Sequence, residues 1–199
     1  MGILRRSTGL AAANLVAFAC SLGIVTALPA WAGAARVVSN LDEASDEPAN
    51  VILSQIKHTL RRDWWLSLVA LAMIGTGVVS LLITWGWFGG WLRVALILIL
   101  VILYLAIALV LVNYTHAAGT LPMEASYQQV IEQTMRRIVE YPRQSLLSAL
   151  AVVLCAPLWL LAPLAVALGI VVPAWLVHRI WAPIEVQVPD EDPLWNDAD

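Results

Sequence analysis

The chain has 199 residues, of which 61% are hydrophobic and 13% are charged, whereas soluble domains carry about 25% charged residues. This composition excludes an ordinary soluble domain and predicts an all-α membrane protein, because helices satisfy their own backbone groups in lipid. The formal net charge of −3 is too small to indicate a nucleic-acid partner. In chain order, the pattern predicts about five transmembrane helices and two amphipathic helices on the cytoplasmic face.

The first apolar run, from Leu10 to Ala35, contains a helix-breaking signal at Thr26-Ala27-Leu28-Pro29. Proline lacks a backbone N–H and pushes the preceding residue out of the helical region. The run therefore predicts a span at about residues 10–28 with a broken continuation at 29–40. Asn14, a polar residue inside the run, is expected to hydrogen-bond to a neighbouring helix.

The same run also contains Ala30-Trp31-Ala32, which is similar to a signal-peptidase site. The apolar run continues past that point, so we expect the first span to be retained rather than cleaved.

Two further spans form a hairpin, at about residues 64–85 and 91–114. In the first of these spans, the 21 helical steps from residue 64 to residue 85 cover about 31 Å at about 1.5 Å each, close to the thickness of the hydrocarbon core. Tryptophans stand at both ends of this span (Trp64 and Trp65 at one end, Trp85 at the other), as expected for interfacial anchors. In the preceding stretch, about 51–62, the apolar residues recur every three or four positions and the basic residues occupy the other faces. This spacing predicts an amphipathic helix lying on the membrane surface.

After the hairpin, residues 123–141 predict a second amphipathic helix at the membrane surface. The uncharged run from Leu146 to Val177 would be about 48 Å long as one straight helix. Three prolines interrupt it, so we expect two spans at about 145–161 and 163–181, with a kinked single helix and a tail as the alternative. The remaining residues, 184–199, are acidic and predict a disordered tail.

The distribution of basic residues predicts the orientation, because Lys and Arg favour the cytoplasmic side. Both amphipathic helices and the acidic tail are therefore expected on the cytoplasmic side of a membrane that the chain crosses several times. Arg5 and Arg6 leave one question open. They lie outside if residues 10–40 cross once, and join the cytoplasmic face if those residues enter and return.

The sequence Ser21–Ala30, together with Asn14-Leu15, resembles the bacterial YesL-like membrane-protein family, and a weaker likeness extends over Ile56–Trp64. Gly23 stands where the family usually has proline, and Leu28 where a glycine often precedes the proline. The resemblance covers most of residues 10–180, and its motifs are structural. It implies an accessory or regulatory role beside an ABC-type carbohydrate uptake system, because members are often associated with such systems.

No catalytic or cofactor motif is present in the sequence. It lacks a Ser/His/Asp set, a Walker loop and a Cys/His cluster, and no span carries paired carboxylates. Cys20 and Cys155 form neither a disulfide framework nor a zinc pattern. We therefore expect a protein that is not an enzyme and binds no cofactor or metal.

The candidate functional residues form two groups. The first is the helix break at Thr26 and Pro29, since transporters use broken helices near their substrates. The second is a basic face that would contact lipid headgroups or a protein partner; it comprises Lys57, Arg61, Arg62, Arg136, Arg137 and Arg143.

Two functional hypotheses follow from these groups. The first is an interaction protein whose partners are the lipid bilayer and either the permease subunits of a sugar importer or a second copy of the chain. The alternative is a small-solute transporter or channel with a path near the break. Its path would be lined by Asn14, Ser21, Thr26, Ser80 and Thr84.

Overall fold

The computed structural model describes residues 2–41 and 47–185, and within these ranges the chain is helical and contains no strand. Its helices are α1 (Gly2–Ser21), α2 (Ala27–Ser39), α3 (Pro48–Trp87), α4 (Gly90–Thr120), α5 (Tyr127–Glu140), α6 (Pro142–Leu154), α7 (Pro157–Leu160), α8 (Ala162–Leu168) and α9 (Val171–Glu185). Most of the predicted acidic tail, from residue 186 onward, lies outside the described residues.

A short 3₁₀ turn at Ile24–Thr26 separates α1 from α2. The break is therefore present, but it precedes the predicted position, and Pro29 lies in the first turn of α2, where its missing N–H removes no helical hydrogen bond. The two helices pack against each other. Ala13 and Ala17 of α1 share a buried cluster with Ala34 and Val37 of α2, so the chain folds back at this break.

Helix α3 is one continuous element of 40 residues, about 60 Å long. The expectation of a separate surface helix at 51–62 is therefore wrong, because nothing in the sequence breaks the helix before the span. The buried stripe of its first half is also largely polar: Ile52, Gln55, Thr59, Asp63 and Ser67 are buried, whereas Leu53 is half exposed. This stripe packs against the neighbouring helices of the protein.

The second half of α3 and the first half of α4 form the predicted hairpin, joined at Phe88 and Gly89. Gly90, at φ +57°, supplies the left-handed conformation that the turn requires. The two helices approach closely at Gly77, where an added Cβ would lie 2.5 Å from Cζ of Tyr104. Most of the hairpin's other side chains are exposed.

Helix α5 is the predicted second amphipathic helix, and it begins at a capping box formed by Ser126 and Gln129. Its buried residues are Val130, Thr134 and Arg137, so the face that it turns to the protein is largely polar. Met135 and Val139, in contrast, are exposed.

The C-terminal apolar run is more broken than expected. An extended residue, Leu161, separates α7 from α8 close to the predicted split at Ala162-Pro163. Further interruptions lie between α6 and α7 and between α8 and α9, so neither predicted span, 145–161 or 163–181, is a single helix.

Three stretches of the described residues are long and apolar enough to cross a membrane: Pro48–Trp87, Gly90–Thr120 and Pro142–Trp159. The remaining helices pack with the first half of α3 and the end of α4 into a bundle. The structure therefore has two parts, this bundle and the apolar hairpin that extends from it. The expected total of five spans is not confirmed.

Candidate functional site

A buried polar junction lies where the apolar part of α3 begins. The Asp63 side chain is fully buried and receives a bidentate contact from its neighbour Arg62, at 2.7 Å from Nε and 3.1 Å from Nη2. The Oη of Tyr114 on α4 donates a third hydrogen bond to Asp63, at 2.6 Å. A buried carboxylate needs such charge-assisted donors, since leaving it unpaired costs several kcal/mol.

Arg62 also reaches the segment that follows α4. Its Nη1 donates a 2.7 Å hydrogen bond to the backbone oxygen of Ala125, next to the N-cap of α5. One ion pair thereby joins α3, α4 and the entry to α5.

A second arginine, Arg36 of α2, closes the C-terminal end of α4. Its Nε donates to Oε1 of Gln55 at 2.8 Å, and its Nη2 donates to the backbone oxygens of Ala118 and Leu121. Gln55 Nε2 donates to the Ala118 oxygen as well. The last carbonyls of a helix lack partners inside the helix and carry its negative dipole end, so a guanidinium is well suited to this position.

Further polar contacts connect α4 to α5 and α6. The Ser145 Oγ lies 3.2 Å from Oδ1 of Asn113 and 3.2 Å from the backbone oxygen of Arg137. The Nη2 of Arg137 donates to Oγ1 of Thr120 at 3.2 Å. The Arg137 guanidinium also lies over the ring of Trp181, 5.0 Å from the ring centre.

Asn14 holds the first helix against the last one. Its Oδ1 accepts hydrogen bonds from the backbone N–H groups of Ile170 and Val171, both at 2.9 Å, and its Nδ2 donates to the oxygen of Val166. The side chain therefore caps the start of α9, as an N-cap residue would, but from a distant part of the chain. The expectation that Asn14 bonds to a neighbouring helix is confirmed.

The six predicted interface cations divide into two sets. Lys57, Arg61, Arg136 and Arg143 are exposed, with Arg136 paired to Glu140 at 2.9 Å. Arg62 and Arg137, in contrast, are largely withdrawn into the polar junction, with the Arg62 side chain 11% exposed and Arg137 7% exposed. The structure therefore does not place the six side chains on one common exposed face.

At the predicted helix break, the backbone N–H of Thr26 donates to the Gly23 oxygen at 2.8 Å, and its hydroxyl lies within hydrogen-bonding distance of the backbone oxygens of Gly23 and Cys20. Pro29 is buried in α2. Thr26 and Pro29 therefore belong to a locally closed turn, in which the hydroxyl satisfies carbonyls at the end of α1.

Two spaces lie near the junction. One is a cavity of about 20 Å³ between α2, α4, α6 and α9, lined in part by Trp31, His116 and Val177, which has room for about one water molecule. The other is an open groove of about 270 Å³, lined by Gln133, Arg136, Arg137, Glu140, Tyr141, Trp181 and Ile184. Among the described residues, no group of three or more His, Cys, Asp or Glu side chains is placed to hold a metal ion.

The junction residues Arg36, Gln55, Asp63 and Tyr114 were not among the predicted site residues. The sequence does contain a signal for the buried polar stripe of α3. Gln55, Thr59 and Asp63 are polar residues four positions apart, so they share one helix face. The paired partners on α2 and α4 have no comparable local signal, since they are brought to α3 only by the packing of distant segments.

No known family, curated protein or solved structure matches the chain. The resemblance to the YesL-like family therefore stays a prediction.

Proposed function

We propose that the chain is an integral protein of a bacterial cytoplasmic membrane that acts as an accessory or regulatory interaction partner of an ABC-type carbohydrate uptake system. The observation that carries the interaction role is the exposed hairpin. The link to carbohydrate uptake rests on the family resemblance of residues 14–30 and 56–64.

The hairpin offers an apolar surface far larger than its own packing uses. None of the most apolar 18-residue stretch of α4 is buried within the chain, and only 11% of the corresponding stretch of α3 is. The close contact at Gly77 and Tyr104 joins the two helices and leaves their outer faces exposed. Such faces are suited to lipid and to the spans of another membrane protein, which associate by packing and not by a hydrophobic driving force.

The orientation belongs to the same proposal. The exposed cations Lys57, Arg61, Arg136 and Arg143 would lie in the cytoplasm, as the preference of basic residues predicts. The tip at Trp85–Trp91 would then lie at the outer interface. The count of five crossings, which adds residues 10–40 and 163–181 to the hairpin and the segment 145–161, stays a prediction.

A solute path at the Thr26–Pro29 break has less support. The Thr26 hydroxyl contacts two backbone oxygens, and the Asn14 side chain forms three hydrogen bonds to the backbone of residues 166, 170 and 171. The cavity of about 20 Å³ beside Trp31 is far smaller than a site for a sugar, since small-molecule sites measure about 300–1,000 Å³.

Site-specific photo-crosslinking in cells tests the interaction role. A photoreactive residue is placed at Leu98 or at Ile102, each about 60% exposed on α4, and the adducts are identified by mass spectrometry. Adducts with permease subunits are expected, and they should increase when the cells grow on the transported sugar. A photoreactive residue at Ala149, which is fully buried, is the control and should give no intermolecular adduct.

If adducts form only with a second copy of the chain, the interaction is self-association and the proposed importer partner is wrong. Sugar flux into liposomes that contain this protein alone would instead favour the transporter hypothesis.

A further inference from the structure

The open groove between α5 and α9 is bordered by charged groups of both signs. Two guanidinium groups, of Arg136 and Arg137, and one carboxylate, of Glu140, line it together with the side chains of Gln133 and Tyr141. The charged side chains lining the groove therefore have a net charge of +1, which favours an anionic ligand.

The inner side of the groove is formed by buried, mutually packed side chains. Arg137 is 7% exposed, and its guanidinium lies over the ring of Trp181, which is 1% exposed. Trp181 also packs edge-on against Tyr141, with ring centres 5.9 Å apart. The outer side differs, because the Arg136 side chain is 66% exposed and reaches the groove from the surface of α5.

Apolar side chains lie beside this groove on the same helix. Val139 lies three residues after Arg136 and is therefore its neighbour on the helix surface, and it is 77% exposed. Met135 lies one turn before Val139 and is 47% exposed. A polar groove with net positive charge is thus adjacent to an exposed apolar surface, on a helix of a membrane protein. This combination suits an amphiphile whose head is anionic and whose tail is hydrocarbon.

We propose that the groove binds the phosphate headgroup of an anionic phospholipid, with its acyl chains beside Met135 and Val139. Arginine is the preferred side chain for phosphate oxygens, since its planar donors can form two parallel hydrogen bonds. Basic pockets between helices on the cytoplasmic side of a membrane are a recognised setting for such headgroups. The inference does not depend on a role in carbohydrate uptake.

Lipid titration of the full chain in detergent tests the proposal, with bound lipid counted by native mass spectrometry. Phosphatidylglycerol should bind at least fivefold more tightly than phosphatidylcholine with the same acyl chains. Arg136→Gln should reduce this preference about fivefold, the contribution of about 1 kcal/mol expected for one cation at a membrane surface. Glu140→Gln should increase it, because the variant removes the opposing charge.

Arg61→Gln is the matched control, since Arg61 is also exposed but does not line the groove. It should change the preference less than twofold. If Arg136→Gln and Arg61→Gln reduce the preference for phosphatidylglycerol equally, that preference comes from the general surface charge, and the groove is not a specific lipid site. Equal binding of the two lipids by the unaltered protein would also overturn the groove as a site.

Glycerol 3-phosphate distinguishes the lipid from a soluble phosphate ester. We expect it to bind at least tenfold more weakly than phosphatidylglycerol, because it lacks the acyl chains. Binding as tight as that of the lipid, lost in Arg136→Gln, would make the groove a site for a soluble phosphate and overturn the lipid assignment.

Discussion

The Oη of Tyr114 donates a 2.6 Å hydrogen bond to Oδ1 of Asp63, and both side chains are almost completely buried. This contact joins α4 to α3 at the level where α3 changes from a half that packs on protein to a half that is exposed and apolar. It therefore connects the hairpin to the bundle at the place where the two meet.

Removing this hydroxyl should destabilise the fold without changing its shape. Tyr114→Phe leaves the buried carboxylate with one donor fewer, which costs about 1–3 kcal/mol. The thermal midpoint in detergent, followed by tryptophan fluorescence, measures the loss. Tyr104→Phe is the control, because the structure gives that hydroxyl no role in the junction, and equal losses in the two variants would contradict the assignment.

The contact of Gly77 with Tyr104 should set the spacing of the hairpin. Gly77→Leu places a side chain where the Tyr104 ring lies, so the helices must separate or the ring must turn away. Nitroxide labels at Leu81 and Ile99, both exposed, should report a longer or broader distance in this variant. Gly75→Leu is the matched control, since a Cβ there meets nothing within 4 Å, and the distance should stay unchanged.

The distant cap formed by Asn14 should stabilise the association of α1 with α9. Asn14→Ala leaves two buried N–H groups and one carbonyl without their partner, at a cost of at least about 1–2 kcal/mol. Thermal unfolding measures the difference. Asn50→Ala, which removes only an exposed contact with Glu47, should change stability by less than about 0.5 kcal/mol. Comparable effects of both substitutions would argue against a capping role.

The proposed orientation can be checked with single cysteines in a variant that lacks Cys20 and Cys155. A cysteine at Gly89, at the tip of the hairpin, should react with a membrane-impermeant maleimide in intact spheroplasts. A cysteine at Lys57 should react only after the membrane is permeabilised, because its helix half belongs with the cytoplasmic cations. The reverse pattern would invert the proposed topology.

Elements that depend on local signals were predicted well. The turn at Trp85–Trp91 follows from its glycines, whose effect on the backbone is local. A break after the first helix was expected at Thr26–Pro29 and lies slightly earlier, at Ile24–Thr26. The division of residues 48–87 into a surface helix and a span was wrong for an equally local reason, since a change from polar to apolar side chains does not interrupt backbone hydrogen bonds. The polar junction was missed because the partners of Asp63 and Gln55 come from residues 36 and 114.

By itself, the sequence determined that the chain is helical and suited to a membrane, because composition and the length of apolar runs dictate which solvent a segment can tolerate. It also located the hairpin. Only the tertiary structure decided which cations are exposed and which are buried. A buried arginine is stable only where carboxylate, carbonyl or aromatic partners meet it, and here those partners lie on helices far apart in the chain.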